Sequence, residues 1–141
     1  MSTSSATEKQ LFITKSDLDQ LRTIVRAIWP NYNRRTKSIV DLAEKLDRAS
    51  VVSPADIPPE IATMNSRFLI CDLSSNKEFV YTLVFPNEAN IEQGMISILS
   101  PIGAAVIGRS AGDIFECTTP LGIARMKLIA IFYQPESSGD N

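Results

Sequence analysis

The amino-acid sequence predicts an α+β protein in which a short helical hairpin precedes an antiparallel sheet with one short helix. Three observations support this prediction. Apolar residues recur at helical spacing as far as Ala49, three prolines then interrupt the chain, and β-branched and aromatic runs separated by turn residues follow. The predicted divisions are a disordered tail over 1–10, a short antiparallel coiled-coil hairpin over 11–52, a Pro-rich linker over 53–60, a sheet domain over 61–136 and a disordered tail over 137–141.

The first helix is predicted to begin at Thr14 or Ser16, because either side chain can cap the free N–H groups of a first turn. Asp17 and Asp19 then place negative charge where the helix dipole favours it. Pro30 disfavours helical geometry at the preceding residue, where the helix is expected to end. The apolar stripe of this helix consists of Leu18, Leu21, Ile24, Val25 and Ile28.

A second helix follows, with Thr36 or Ser38 as its cap. Two amphipathic helices joined by a short loop most simply form an antiparallel hairpin, here about 20 Å long at the rise of an α-helix. Asp41 and Glu44 share a face, which could suit a metal ion, but we expect a solvated face with an optional Asp41–Lys45 ion pair. The apolar stripe of this helix consists of Ile39, Leu42, Ala43, Leu46 and Ala49.

The predicted tip of the hairpin is basic. Arg34 and Arg35, with Lys37, either contact an acidic surface or RNA, or keep an exposed loop soluble. Trp29 and Tyr32 either cover the open end of the hairpin or anchor a partner. The tip residues are Asn31, Tyr32, Asn33, Arg34 and Arg35.

Five segments after the linker have the composition of strands, and several of them alternate, so we expect an antiparallel sheet with one solvated face. Between the third and fourth strands, Ser100 and Pro101 suit the cap and first position of a short helix, and Gly108 suits its end. Gly103 and the alanines after it allow that helix to lie close to the sheet. The predicted strands are 67–71, 79–85, 95–99, 113–118 and 123–133.

Composition excludes several function classes. The net charge of −2 gives the whole chain no attraction to nucleic acid or anionic membrane. The chain has no histidine, which removes Ser-His and Cys-His nucleophiles and the commonest metal ligand, so we expect no enzyme activity, no cofactor and no metal.

Cys71 and Cys117 could be a redox pair or metal ligands, but we expect two small buried side chains. The polar amino terminus is no signal peptide and no apolar stretch spans a bilayer, so a cytoplasmic protein is expected.

The C-terminal half carries a family resemblance. From Ile96 to Tyr133 the order is strand, Ser-Pro-x-Gly, short helix, Gly108, Gly112-Asp113, strand, Pro-Leu-Gly turn and long strand. This order resembles the C-terminal domain of GreA and GreB, which has an FKBP-like fold with a curved antiparallel sheet around one short helix. Further motifs make the chain similar to the Rnk family, regulators of nucleoside diphosphate kinase that are Gre-like with a shortened coiled coil. Those motifs are Asp47-Arg48-Ala49, Ser53-Pro54, Ile57-Pro58, Thr63-Met64-Asn65-Ser66 and Tyr133-Gln134-Pro135-Glu136.

The resemblance implies a regulator that binds RNA polymerase through protein–protein contacts. Gre factors hold a magnesium ion at the acidic tip of a long coiled coil and so trigger transcript cleavage, whereas this tip is basic and Asp41 and Glu44 lie inside a helix. We therefore expect a protein that cannot activate cleavage but competes with Gre factors and influences nucleoside diphosphate kinase levels. We also expect it to be a monomer and to bind neither membrane nor specific nucleic-acid sequences. The residues implied to touch the partner are Ser100, Pro101, Ile102, Gly103 and Ala104, unless they form only a well-capped core helix.

Two other functions remain open at this point. An FKBP-type prolyl isomerase or chaperone module would share the fold and would need an aromatic pocket between sheet and helix. Direct control of nucleoside diphosphate kinase is also conceivable, although the chain has no phosphate-binding loop, which favours an indirect transcriptional route. The aromatic residues available for a pocket are Phe68, Phe79, Tyr81, Phe85, Phe115 and Phe132.

Overall fold

The structure is a computed structural model that describes residues 11–31, 37–119 and 121–139, and it confirms the α+β class. Four α-helices and seven strands lie within those residues. The helices are α1 (Lys15–Ile28), α2 (Lys37–Arg48), α3 (Pro101–Val106) and α4 (Pro135–Ser138). The strands are β1 (Phe12–Thr14), β2 (Ser50–Val52), β3 (Arg67–Asp72), β4 (Lys77–Val84), β5 (Met95–Ser97), β6 (Ile114–Thr119) and β7 (Gly122–Tyr133).

A five-stranded sheet forms the centre of the fold, in the order β5-β4-β3-β7-β6. Its pairings are antiparallel except at one edge, where β5 runs parallel to β4 with Thr82 opposite Met95. The expectation of an antiparallel sheet is therefore wrong at this edge. The cause is the connection between the two strands, which is long enough to return along β4 and contains the 3₁₀ turns Pro86–Glu88 and Ile91–Gln93.

A second, two-stranded sheet was not expected. β1 and β2 pair in parallel, with Phe12 opposite Ser50, and the Ser50 N–H donates to the carbonyl of Leu11 at 2.8 Å. Three-residue strands at the ends of helices are too short to produce a readable alternation in the sequence. The pairing brings the chain entering α1 beside the chain leaving α2.

One hydrophobic core joins the helices to the sheet. Phe68 and Leu128 face inward from the sheet, and Leu21 and Leu42 contact the same core from α1 and α2. The linker over 53–60 therefore connects segments that share a core; within it Pro54–Asp56 form a 3₁₀ turn and Ile57 is buried.

The helix ends agree in part with the sequence. Thr14 caps α1, since its hydroxyl oxygen accepts the Asp17 N–H at 3.2 Å, and α1 ends just before a 3₁₀ turn that contains Pro30. Ser38 lies inside α2 and does not cap it, whereas Thr36 and the predicted tip residues 32–35 lie outside the described residues.

The C-terminal end differs from the expectation of a disordered tail over 137–141. α4 (Pro135–Ser138) continues into that segment, and Gly139 ends it in the left-handed conformation at φ +76°. Residues 1–10, 120, 140 and 141 lie outside the described residues. Within the described part of the chain, no helix is long and apolar enough to cross a membrane.

Candidate partner-binding segment

The segment from Ser100 to Ala104 forms the capped start of α3, as the sequence predicts. The Ser100 hydroxyl oxygen accepts the Gly103 N–H at 3.1 Å and donates its own proton to the Ser97 carbonyl at 2.6 Å. Pro101 occupies the first helical position, where its missing N–H costs nothing. Gly108 follows the helix at φ +83°. The Ser100 hydroxyl is therefore engaged inside the protein and is not free for a partner.

Gly103 is required by close packing. A Cβ atom at this position would overlap the carbonyl oxygen of Ser97 and lie 3.0 Å from the Ile98 Cα. Both obstacles are backbone atoms, which cannot rotate aside. Gly103 and Ala104 are both buried, so α3 lies directly against the chain that leaves β5.

The other end of α3 is capped by a lysine from α2. The ammonium group of Lys45 donates to the carbonyls of Ala104 at 2.9 Å, Ala105 at 2.8 Å and Ile107 at 2.8 Å. These carbonyls lie at the C-terminal end of the helix, where no intrahelical N–H reaches them and a positive charge is favoured. Lysine has three N–H donors, and all three have an acceptor here.

Lys45 itself is buried, with 8% of its surface exposed. Burial lowers its pKa well below the usual value, and the neighbouring positive charge of Arg109 acts in the same direction. The Asp41 carboxylate opposes both effects. The three carbonyls favour the charged form, because a neutral amine could donate only two hydrogen bonds.

A second contact from α2 reaches the residue before the segment. The Ser38 hydroxyl donates to the Leu99 carbonyl at 3.1 Å. Helix α2 therefore covers the inner side of the predicted binding segment through both Ser38 and Lys45. Among the five residues predicted to contact a partner, Gly103 and Ala104 are enclosed by the protein itself, whereas Ser100, Pro101 and Ile102 are half-buried.

A buried aspartate joins α1 to the sheet domain. The Asp17 carboxylate accepts the Met64 N–H at 3.1 Å. Burial raises the pKa of Asp17 to about 6, and the negative charge of Glu136 adds to the increase, although the Met64 N–H and Thr14 lower it. Asp17 was expected only to favour the helix dipole, and the structure gives it this second role.

Three of the motifs that resemble the Rnk family, namely Ile57-Pro58, Thr63-Met64-Asn65-Ser66 and Tyr133-Gln134-Pro135-Glu136, take part in a hydrogen-bond network around this contact. Thr63 donates its hydroxyl to the Glu136 carboxylate at 2.7 Å, and the Ser66 hydroxyl oxygen accepts the Thr63 N–H at 2.9 Å. The Gln134 side-chain amide donates to the carbonyls of Pro58 and Ile61, both at 2.8 Å. The network fixes the C-terminal segment against the chain that follows the linker.

The carboxylates of α2 have other partners than the sequence suggested. Asp41 pairs with Lys37 at 3.0 Å, so the optional Asp41–Lys45 pair is wrong, because Lys45 points into the protein. Glu44 is exposed. In residues 11–31, 37–119 and 121–139, no group of three or more cysteine, aspartate or glutamate side chains could hold a metal ion.

Both cysteines and two of the six candidate aromatic residues are buried in the core. Cys71 and Cys117 are both free thiols and buried, as expected for small apolar side chains. Phe68 and Phe115 are both buried in the core to which residues of α3 also belong. Neither therefore offers a free surface to a pocket between sheet and helix.

Sequence reasoning missed Lys45 and Ser38 as contact residues. Both lie on the apolar stripe of α2, since Ser38, Leu42 and Lys45 follow one another at intervals of four and three residues. A polar residue within an apolar stripe is a signal of a buried hydrogen bond. The hydrogen-bond partners of Lys45 could not be predicted from the sequence, because they lie about sixty residues further along the chain.

Comparison with known proteins places this geometry in a family. A family model described as "Transcription elongation factor, GreA/GreB, C-term" matches residues 57–133, which is more than half of the chain. The "Regulator of nucleoside diphosphate kinase" of Escherichia coli strain K12 is 37% identical over 100 residues, which cover 70% of this chain and 74% of that protein. "Transcription elongation factor GreA" of Orientia tsutsugamushi strain Boryong is 41% identical over 97 residues, which cover 69% of this chain and 61% of that protein.

A solved structure agrees with these matches. The "Prokaryotic transcription elongation factor GreA/GreB from Nitrosomonas europaea" has a TM-score of 0.72 and 32% sequence identity, covering 89% of this chain and all of that chain. None of these relatives is named as an isomerase or chaperone, so the FKBP-type alternative gains no support. The chain belongs to the GreA/GreB family of transcription factors, in the group of the regulator of nucleoside diphosphate kinase.

Proposed function

We propose that the protein is a transcriptional regulator that docks on RNA polymerase through the outer side of the segment Ser100–Ile102. The observation that carries this proposal is the match of residues 57–133 to the GreA/GreB C-terminal domain, because that range contains the capped helix α3. Pro101 and Ile102 are the side chains that a partner can reach, since the Ser100 hydroxyl, Gly103 and Ala104 are engaged inside the protein.

We propose further that docking occurs without stimulation of transcript cleavage. A cleavage factor needs free carboxylates that can bring a metal ion to the polymerase active centre. Here Asp41 is paired with Lys37, and Glu44 is the other carboxylate on that face. Within the described residues the two helices span 14 and 12 residues, or about 20 Å each at the rise of an α-helix. A protein that docks but cannot cleave would compete with Gre factors and would affect nucleoside diphosphate kinase through transcription.

Several finer expectations accompany this proposal. These are an FKBP-like sheet domain, an antiparallel coiled-coil hairpin with a basic tip, a monomeric state, a cytoplasmic location, and the absence of enzyme activity and of sequence-specific nucleic-acid binding. The boundaries given above for the linker and for the amino-terminal tail belong with them. The pairing of β1 with β2 supports the antiparallel hairpin, and each of the other expectations requires its own test.

The docking test is retention of the protein on immobilised core RNA polymerase, with and without a GreA competitor. We expect retention that GreA abolishes, and a strong loss of retention for Pro101→Ala and Ile102→Asn in protein with an unchanged circular dichroism spectrum. The matched control is Leu121→Asn, because Leu121 is fully exposed and lies outside the segment. Unchanged retention of both segment variants would contradict the proposed surface.

The cleavage test uses stalled elongation complexes with labelled RNA. We expect no shortening of the transcript when the protein is added, and a slower GreA-dependent shortening in its presence. Shortening that depends on this protein alone would overturn the second part of the proposal.

A further inference from the structure

A groove between α1 and α2 lies at a different place from the segment Ser100–Ile102. It has a volume of about 440 Å³ and opens to solvent. Its apolar surface comes from both helices, with Val25 from α1 and Leu46 from α2 among the lining side chains. The full lining consists of Arg22, Val25, Arg26, Trp29, Pro30, Ala43, Leu46 and Asp47.

The apolar stripe of α1 is incompletely covered where this groove lies. Leu18 and Leu21, in the first half of the helix, are buried. Ile24, Val25 and Ile28 follow on the same stripe but are only half-buried. Trp29, at the end of the helix, is 45% exposed. An apolar helix face that loses its cover along its length offers surface to a further partner.

Positive charge is concentrated in the stretch of sequence that contains the groove side of α1. Residues 20–40 contain five basic side chains and no acidic one. Because the whole chain carries −2, the remainder carries −7. Arg22 and Arg26 lie four residues apart on the groove side of α1, and neither forms an ion pair with a carboxylate among the residues that the structure describes. Asp47 is the one acidic side chain in the groove lining given above.

We propose that this groove binds an acidic amphipathic helix of a protein partner. An apolar face on such a helix would cover Val25, Trp29 and Leu46, and its flanking carboxylates would pair with Arg22 and Arg26. Grooves between helices accept helical ligands in this way, through anchors at helical spacing. The charge makes the match specific, because a basic helix would meet like charges at the rim.

This inference does not depend on polymerase docking, because the groove is formed by α1 and α2 and the docking segment by α3. Its test can therefore use the full chain without polymerase. Failure of the groove test would leave the docking proposal intact, and the reverse also holds.

Trp29 provides the measurement, since it is the only tryptophan in the chain and lies in the groove. The probe is a synthetic helical peptide with leucines at positions i, i+3, i+4 and i+7 and glutamates elsewhere, and it contains no tryptophan. We expect a blue shift of Trp29 emission and saturable binding. One control peptide has the same composition with the leucines at alternate positions, and a second has lysine in place of glutamate; both should bind at least about tenfold more weakly.

Protein variants locate the binding. Arg22→Glu with Arg26→Glu should weaken binding of the acidic peptide at least about tenfold, and should strengthen binding of the lysine peptide. Arg67→Glu is the matched control, because Arg67 is exposed on β3, outside the groove. Reversal of its charge should leave peptide binding nearly unchanged. Equal binding of all three peptides, no binding of the acidic one, or no effect of the double reversal would overturn the proposal. Binding of single-stranded RNA through Arg22 and Arg26 in place of the acidic peptide would also overturn it.

Discussion

Replacing Lys45 by methionine removes the group that joins α2 to the end of α3. Methionine keeps the unbranched stem and much of the volume of lysine, so the change acts mainly on the charge and the hydrogen bonds. In the wild-type protein the ammonium group donates to Ala104, Ala105 and Ile107 at 2.8–2.9 Å. The variant therefore leaves three carbonyls at a helix end without this donor.

The size of the effect follows from opposing contributions. A buried acceptor that loses its partner costs about 1–3 kcal/mol, so three of them cost about 3–9 kcal/mol before any relaxation. The variant also avoids the burial of an ammonium ion, which costs several kcal/mol in the wild type. Because the three lost hydrogen bonds outweigh the avoided burial of the charge, we expect Lys45→Met to lower the free energy of unfolding by about 3 kcal/mol. That is a large fraction of the roughly 5–15 kcal/mol by which proteins of this kind are stable.

Urea unfolding followed by circular dichroism and by Trp29 fluorescence measures this loss. Lys15→Met is the matched control, because Lys15 is exposed and forms an i, i+4 pair with Asp19 at 2.9 Å. Such a pair contributes about 0.3–0.5 kcal/mol, so the control should change stability very little. If the two variants differed by less than about 0.5 kcal/mol, the role assigned to Lys45 would be refuted.

Three further predictions follow from the same contacts. Gly103→Ala should lower the free energy of unfolding by about 2–4 kcal/mol in urea unfolding, because backbone atoms occupy the space of the new methyl group. Gly112→Ala has free space and should cost only about 1 kcal/mol for its positive φ, so equal losses would contradict the steric argument. Asp17→Asn tests the raised pKa of Asp17. Because this pKa is about 6 in the folded protein and 3.8 in the unfolded chain, protonation of Asp17 favours folding. The stability that Asp17 contributes therefore falls as the pH rises from about 4 to about 6. The wild-type advantage over Asp17→Asn should therefore be larger at pH 4 than at pH 7, by up to about 3 kcal/mol, and an equal advantage at both pH values would contradict the raised pKa. Ser100→Ala removes a helix cap and should cost about 1 kcal/mol in urea unfolding, and an unchanged midpoint would argue against the cap.

The sequence predicted the elements whose causes are local. The strands β3, β4, β6 and β7 appear within two residues of their predicted limits, because alternation and turn residues are properties of neighbouring positions. Helix α3 was predicted for the same reason, since a serine cap, a proline at the first position and a following glycine lie within nine residues.

Features that depend on distant partners were not predictable. The parallel pairing of β5 with β4 depends on the path of the connecting chain and not on the composition of either strand. Lys45 and Asp17 looked like ordinary surface charges of two helices, but both are buried against backbone groups of the sheet domain. Burial of a charge is decided by what packs over it, and one helix does not contain that information.

The contacts of Lys45 connect the two surfaces proposed for partners. Helix α2 supplies one wall of the groove through Leu46, and α3 presents Pro101 and Ile102, while Lys45 joins the two helices. Because the ammonium group fixes α2 on α3, Lys45→Met should weaken both peptide binding at the groove and retention on polymerase. Ile102→Asn should affect only retention, and reversal of the groove arginines only peptide binding. A Lys45→Met protein that kept both activities would show that the two surfaces form independently of this contact.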